Sequence, residues 1–485
     1  MHPNFFIGRW SIREINDLKK ISLRTVQYIK MDSLQNSSYL NNALLVAGNY
    51  SDSGTWPVTP VWTSKWLMDE LSYFGRIKLF SWNARMYLLH IFGMDVIHGA
   101  WEVLFNLYLL LIFPDLGIAF VGLRIAVMGV AGALSSIPAG KFADSLDRKW
   151  GFIIGDGGGA VCSLILITSE DPTVILSFSA IAACFGSLHH VTEVPFMAEN
   201  SEPSERIHLF AVGSGFRTLA AMLGAIVAGL LPAYLGDTYD IGVIEAYRLA
   251  VQFAIGWWFL SLIPAVLLRK LDSPPEEKEG GRGLFSGIKN PITIRRFVII
   301  SAFIGLGAGF VVRLGNIFFH EHGSIQAHEH EIGMIYAASS LALAIGAFLV
   351  PFVVDRLGQI ATIVWTRFAA IPFILLIGFA PELATPTTVV SIAGLAWVLR
   401  NTLFNMSNPV MEAFTMSELE VSERATFVGI SRFFSAGLMA IAGYLGATLM
   451  ASGDYRTPFV IMAVTYAIST VLFMQWFGNH SDPED

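Results

Sequence analysis

Charge is what this chain lacks. Only 14% of its 485 residues are Asp, Glu, Lys or Arg, against about 25% in an average soluble domain, and 54% are hydrophobic. So little polar surface cannot cover a water-facing globule, and lipid is the expected solvent. Cysteine is scarce as well. Cys162 and Cys184 both lie in apolar segments, which excludes a disulfide framework and reads as two small buried hydrophobes. The net charge is −7 and no basic domain is present, so nucleic acid is not an expected partner. The N-terminus lacks the basic start, short apolar core and small-residue cleavage site of a secretory signal, a role the first span can fill. No HExxH, phosphate-binding loop or nucleophile elbow occurs. Neither a hydrolase nor an ATP-driven pump is supported, and no cofactor is implied.

Long apolar runs are what the chain has in abundance. A spanning helix needs about 20 mostly apolar residues. Six such runs lie at 86–113, 118–139, 151–168, 174–196, 207–232 and 244–268, and six more at 297–319, 332–353, 360–379, 387–414, 425–450 and 459–477. The expected fold is all-α, with twelve transmembrane helices.

Basic residues orient those helices. With the N-terminus in the cytoplasm, the outer loops carry only Arg456. The inner side carries Lys141, Arg148, Lys149, Arg206, Arg356, Arg424 and seven more between Arg269 and Arg296. This is the positive-inside bias, and an odd number of spans would scramble it. Both termini are therefore expected in the cytoplasm of a cell membrane.

Composition divides the chain. Residues 1–60 are mixed polar, rich in Ser, Asn and Gly, and read as a mobile cytoplasmic extension; Met31 offers an alternative start. Residues 61–85 place Trp62 and Trp66, then Leu67, Leu71 and Phe74, at helical spacing among Lys65, Arg76 and Lys78. They read either as an interfacial amphipathic helix or as an ordinary lead-in. Residues 86–268 form a six-helix half, 269–296 a charged Pro- and Gly-containing central loop, 297–477 a second six-helix half, and 478–485 a short tail.

The halves repeat. Gly140-Lys-Phe-Ala-Asp144-Ser-Leu-Asp-Arg148-Lys149 parallels Pro351-Phe-Val-Val-Asp355-Arg356-Leu-Gly358, with the aspartates 211 residues apart. Asn106 parallels Asn316 at an offset of 210, and Ser204-Glu-Arg206 parallels Ser422-Glu-Arg424 at 218. Three matches at nearly constant offset argue for duplication, hence two parallel halves related by a pseudo-two-fold axis along the membrane normal.

On these residues the chain resembles the major facilitator superfamily, over about residues 80–478. The family's loop motif, Gly-x-x-x-Asp-(Arg/Lys)-x-Gly-Arg-(Arg/Lys), is matched by Gly140, Asp144, Arg148 and Lys149, and departed from at Ser145 and Asp147. In the second half Asp355, Arg356 and Gly358 match, while Pro351 and Gln359 depart. The resemblance implies secondary transport of a small solute by a monomer, with the motif forming a cytoplasmic latch. Anchoring of topology by charge is the plainer account of the same residues. A glycine-rich fifth span with Pro232 but no Gly-Pro pair leaves efflux suggested and not established.

Ionisable residues inside spans are costly and usually face a cavity. In the first span Asp95, His98 and Glu102 share one face, with Asn106 one turn on. In the tenth, Asn401, Asn405, Asn408 and Glu412 form a second stripe beside Arg400; the fourth carries His189, His190 and Glu193, and the seventh Arg313 and Asn316. The resemblance implies that these four spans line the central cavity. A carboxylate held there can exchange a proton with each side in turn, which makes Asp95, His98 and Glu102 the expected coupling group and protons a partner. The alternative is a structural acid pair neutralised by Arg313 or Arg400. Arg217, Arg367 and Arg432 are expected to pair with acids or to sit near headgroups.

An outer loop carries His320, His322, His328 and His330. It reads as a solvated loop, with metal binding or acid sensing the weaker readings, since i,i+2 pairs are not the spacing of a structural zinc site. A transporter-like receptor without translocation stands as the alternative to a transporter.

Overall fold

The computed structural model describes residues 80–145, 147–201, 203–269 and 290–478. The expected N-terminal extension, most of the lead-in, most of the central loop and nearly all of the tail lie outside the described residues. The helices are α1 (Trp82–Ile112), α2 (Gly117–Ser145), α3 (Arg148–Thr168), α4 (Pro172–Glu199), α5 (Pro203–Tyr239), α6 (Val243–Val266), α7 (Pro291–Val311), α8 (Gly315–Glu321), α9 (Glu329–Leu357), α10 (Gln359–Leu383), α11 (Val389–Asn405), α12 (Asn408–Glu418), α13 (Val421–Ala451) and α14 (Thr457–Phe477). By internal contacts the chain divides into two units, Met1–Phe80 with Ser201–His208, and Ser81–Asn200 with Leu209–Asp485. Of the first, Phe80, Ser201 and the backbone opening α5 are described; everything below concerns the second.

Among the described residues, twelve spans are long and apolar enough to cross a membrane, as the hydropathy pattern predicts. Two consist of paired helices. The seventh breaks at the 3-10 turn Val312–Leu314 between α7 and α8. The tenth breaks at Met406–Ser407, where Pro409 opens α12 without an N–H to lose. Local capping explains other ends. Ser81 accepts from the Ala84 amide at 3.1 Å, and Asp171 accepts from Thr173 at 2.7 Å with Pro172 following.

The glycine position of the loop motif shows two solutions to one problem. In the first half Asp147 stands where the motif has glycine, and its carboxylate caps α3 by accepting from Lys149 N at 3.2 Å. In the second half the equivalent residue, 211 positions on, is Gly358 with φ +78°, a conformation that favours glycine.

The halves are packed by the same contacts. Gly99 on α1 lies so close to α5 that an added Cβ would stand 1.9 Å from the Ala221 carbonyl oxygen. Gly309 on α7, 210 residues on, meets α13 in the same way, at 2.4 Å from the oxygen of Met439, which is 218 residues beyond Ala221. Between the halves, Gly122 on α2 packs on Ala447 of α13, and Gly333 on α9 packs on Gly229 of α5. These pairs also interchange under the offsets 211 and 218, as a two-fold axis requires. Small residues let backbones approach, which is how helices associate when lipid removes the hydrophobic drive.

One large apolar core runs through both halves, from Ile97, Phe105 and Ile255 to Phe310, Phe319 and Trp397. A second core, around Ile294, Phe297, Val350, Phe414 and Phe477, belongs to the second half alone, at the end of the bundle where the central loop enters. Cys162 is buried as expected. Cys184 is exposed on α4, so the expectation of a buried hydrophobe is corrected there; both are free thiols.

Candidate functional site

The first half holds a linked set of ionisable groups contributed by α1, α3, α4 and α5. At its base are three buried residues, His90, Asp156 and His189. His90 Nε2 lies 2.9 Å and His189 Nδ1 2.8 Å from the same Asp156 Oδ2, while His90 Nδ1 lies 2.8 Å from the carbonyl oxygen of Ser261. Hydrogen-bond accounting constrains the protons. A carbonyl only accepts, so His90 Nδ1 carries a hydrogen. The two contacts at Oδ2 then take their hydrogens from the imidazoles or from the carboxyl itself. His189 turns its other ring nitrogen, Nε2, away from Asp156. That nitrogen is buried without a hydrogen-bond partner, 3.9 Å from Glu193 Oε2.

From there the set continues toward the expected coupling residues. Glu193 is paired through Oε1 with the Arg217 guanidinium, and Arg217 Nε lies 3.7 Å from Asp95 Oδ2. Asp95 Oδ1 lies 3.2 Å from His98 Nδ1. The side chain of His98 is 53% exposed and that of His190 56%, yet protein surrounds both closely, which is the signature of a concave wall. Glu102, one turn beyond His98, is also accessible and lies within electrostatic reach of Arg313. The alternative reading had Arg313 or Arg400 neutralising the Asp95 and Glu102 pair; Arg313 lies within reach of Glu102, while the cation beside Asp95 is Arg217 of the same half. The expectation that Arg217 pairs with acids is met.

The second half inverts this chemistry. Arg367 occupies on α10 the position that Asp156 occupies on α3, 211 residues earlier. It is 2% exposed, stacks over Phe404 at 5.1 Å, and has Nε and Nη1 without hydrogen-bond partners among the described residues. Arg367 was expected beside an acid or a headgroup, and its aromatic surroundings correct that. Arg400, also buried, points Nη2 at the Tyr466 hydroxyl at 3.3 Å and Met462 Sδ at 3.6 Å. Next to it the asparagine stripe is assembled. Asn405 donates to Asn401 Oδ1 at 2.7 Å, and Asn408 donates to Asn405 Oδ1 at 3.2 Å, across the break in the tenth span. Glu412, one turn further, is exposed.

Asn106 and Asn316 join the halves. Asn106 Nδ2 donates to Asn316 Oδ1 at 3.0 Å and to the Arg313 carbonyl at 2.8 Å, and Asn316 Nδ2 donates to the Val103 carbonyl at 3.1 Å. Both are buried, committed to each other in this conformation. Tyr247 of α6 donates to Glu329 of α9 at the same end of the bundle.

Of the loop motif, Arg148 forms a salt bridge with Glu199 of α4 at 2.9 Å, within its own half. Lys149 donates to the Val266 carbonyl at the end of α6. Asp355 and Arg356 are exposed, and the side chain of Asp144 lies outside the described residues. Gly140 has no atom within 4 Å of an added Cβ. The loop histidines do separate things. His320 pairs with Glu321 at 2.8 Å, His328 caps α9 in a box with Glu331, and His330 stacks on His328 at 5.7 Å. His322 accepts from Ser324 N at 3.2 Å beneath Tyr455, and burial pushes its imidazole below the ordinary histidine range. Among the described residues, the groups whose ligand atoms converge are His90/Asp156/His189 and His189/His190/Glu193, and no loop histidine is in either.

The family model described as Major Facilitator Superfamily matches residues 86–436 and 324–485. The chain belongs to the major facilitator superfamily. Solved structures agree on the fold. A nucleoside transporter, NupG, superposes with TM-score 0.61 at 16% identity, covering 82% of this chain and 100% of its own. A bacterial homologue of the iron transporter ferroportin, in an inward-facing state, gives 0.63 at 16% identity, covering 81% and 98%. A bacterial homolog of the human lysosomal transporter Spinster gives 0.57 at 15%, covering 84% and 99%. No curated protein sequence matches the chain. The protein is thus a multi-pass membrane transporter of this superfamily, with two six-helix halves related by a pseudo-two-fold axis.

The residues at the base of the site escaped the sequence reading. His90 lies in the apolar run Leu88-Leu89-His90-Ile91, and Asp156 in the run Gly155-Asp156-Gly157-Gly158-Gly159. The offset of 211 was the available signal, because it sets Asp156 opposite Arg367, one buried charge against another of opposite sign.

Proposed function

We propose that this superfamily member is a proton-coupled secondary transporter that moves a small solute by alternating access through the cavity between its halves. It works as a monomer in the cell membrane, with both termini and the central loop in the cytoplasm. The basic residues between Arg269 and Arg296, against the single Arg456 in the outer loops, support that orientation. With the halves tied at mid-depth and at the outer end through Asn106–Asn316, Tyr247–Glu329 and Gly229–Gly333, the cavity in this conformation opens inward.

The observation that carries the coupling reading is the sharing of Arg217 between Glu193 and Asp95, with His98 on the other oxygen of Asp95. When Asp95 is ionised, it holds Arg217 from α5 and His98 from its own helix. When it takes a proton, Arg217 turns wholly to Glu193 and the tie between α1 and α5 is lost. The groups facing Asp95 are His98 and Glu102 on α1, Arg217 on α5, and Glu193, His189 and His190 on α4; Arg313 faces Glu102 from the seventh span. A charge that appears and disappears at this junction can bias two packings of the helices, which is what coupling requires. The solute contacts proposed are Arg313 and the Asn401–Asn405–Asn408 ladder of the second half, with His190 and Glu412 completing the walls. Asp144, Arg148, Asp355 and Arg356 are proposed to latch the cytoplasmic side when the cavity faces outward, which requires Arg148 to leave Glu199.

A thermal-shift ligand screen on purified protein supplies the solute, and proteoliposomes supply the test. Asp95→Asn and Glu102→Gln are expected to abolish pH-gradient-driven flux while solute exchange survives. Undiminished gradient-driven flux in both variants overturns the coupling reading.

A further inference from the structure

The His189 Nε2 atom is hard to explain as packing. It is a buried ring nitrogen with no hydrogen-bond partner, and leaving such a group unsatisfied is costly. Its orientation is not accidental, because the opposite nitrogen of the ring is tied to Asp156 at 2.8 Å. Two further ligand atoms converge on the space in front of it. Glu193 Oε2 is 3.9 Å from His189 Nε2, and His190 Nδ1 is 4.0 Å from the same Oε2. All three atoms lie within 4.8 Å of one another. These separations are too long for hydrogen bonds. A tetrahedral ion held at about 2.0–2.2 Å sets its ligand atoms about 3.3–3.6 Å apart, so a closure of a few tenths of an ångström brings these three onto one cation.

We infer that His189 Nε2, His190 Nδ1 and Glu193 Oε2 form a binding site for a divalent transition-metal cation on the cavity wall of the first half. Two imidazoles and a carboxylate are the donor set of zinc, cobalt, nickel and ferrous iron. Three protein ligands leave positions open for water or a further group from the cavity. The surroundings are those of a metal site. Asp156 accepts from the ring nitrogen of His189 that faces away from the ligand position, and His90 in turn steadies Asp156, an arrangement that fixes the tautomer a metal needs. The carboxylate of Glu193 is divided: Arg217 takes Oε1, leaving Oε2 for the cation. The positive charge of Arg217 is offset by Asp95, 3.7 Å from its Nε. His190, half exposed, gives the cation its way in from the cavity. The site does not depend on the transport reading, since a bound cation is seen by its own spectrum without any flux.

The test is titration of tag-free purified protein with Co2+, read by visible ligand-field absorption and by Zn2+ competition. One Co2+ per chain is expected, with bands that Zn2+ removes. His190→Gln and Glu193→Gln are expected to abolish the bands, and Asp156→Asn to weaken binding about 10–100-fold while leaving the ligands in place. His190 is half exposed, so its variant is expected to elute and melt as the parent does. A variant with His320, His322, His328 and His330 all changed to Gln is expected to bind as the parent. The inference is overturned if the parent gives no bands, if bands survive both His190→Gln and Glu193→Gln, or if they vanish in the loop variant alone.

Discussion

Asn106 and Asn316 are equivalent residues of the two halves, 210 positions apart, and they hydrogen-bond to each other at 3.0 Å. A residue can touch its own symmetry mate only where both lie beside the symmetry axis. The contact therefore places the pseudo-two-fold axis between α1 and the seventh span at the outer end of the bundle. It also adds a polar, separable tie to the apolar packing of that end.

That tie sets the first prediction. Asn106→Ala removes the bonds to Asn316 and to the Arg313 carbonyl, and leaves Asn316 Oδ1 with only the Ile317 amide. Each net bond lost shifts the balance by about 1 kcal/mol. Several-fold greater outward opening is expected, measured as faster labelling of a cysteine placed at Leu107 or Leu111.

The paired glycines set the second. Gly99→Ala would drive a methyl into the Ala221 carbonyl, and Gly309→Ala into that of Met439. Each is expected to destabilise by about 1–3 kcal/mol, the usual cost of overpacking, read as a lower melting temperature. Gly256→Ala, with nothing within 4 Å, is the control and is expected to be neutral or slightly stabilising.

The Arg217 junction sets the third. Arg217→Gln leaves Glu193 and Asp95 without their cation and is expected to cost about 3–5 kcal/mol. Arg217→Gln combined with Glu193→Gln is expected to recover part of that loss. A double-mutant cycle on thermal stability in detergent measures the coupling, and strict additivity would contradict the pairing.

The buried arginine of the second half sets the fourth. Arg367 holds its charge among aromatic rings with two donors unmet among the described residues. Replacing such a cation with an apolar side chain of similar length relieves an uncompensated burial. Arg367→Met is expected to leave the melting temperature unchanged or raise it.

Much of this architecture was legible in the sequence because bilayer physics writes it there. The twelve apolar runs, the six-plus-six repeat and the stripe of Asn401, Asn405 and Asn408 all recur in the structure. So does the shared face of Asp95 and His98. What was not legible depended on contacts between helices. Which cation meets Asp95 is decided by the approach of α5 to α1, which Gly99 and Gly224 permit and no spacing within α1 announces. Cavity candidates Asn106 and Asn316 were recognised as a repeat, but their contact with each other follows from the axis. His90 and Asp156 were hidden because a single polar residue in an apolar or glycine-rich run carries no period.

The most direct test of alternating access under proton control uses two pairs of spin labels in a Cys162→Ser, Cys184→Ser background. One pair, Leu116→Cys with Leu383→Cys, reports the outer end; the other, Trp150→Cys with Leu357→Cys, reports the inner end. All four positions are exposed, and each pair spans the halves. The distances are expected to change reciprocally between high and low pH, one lengthening as the other shortens, and Asp95→Asn with Glu102→Gln is expected to freeze that response. Distances that stay fixed at both ends across pH and with the screened ligand, or a response undiminished in the double variant, would contradict the account.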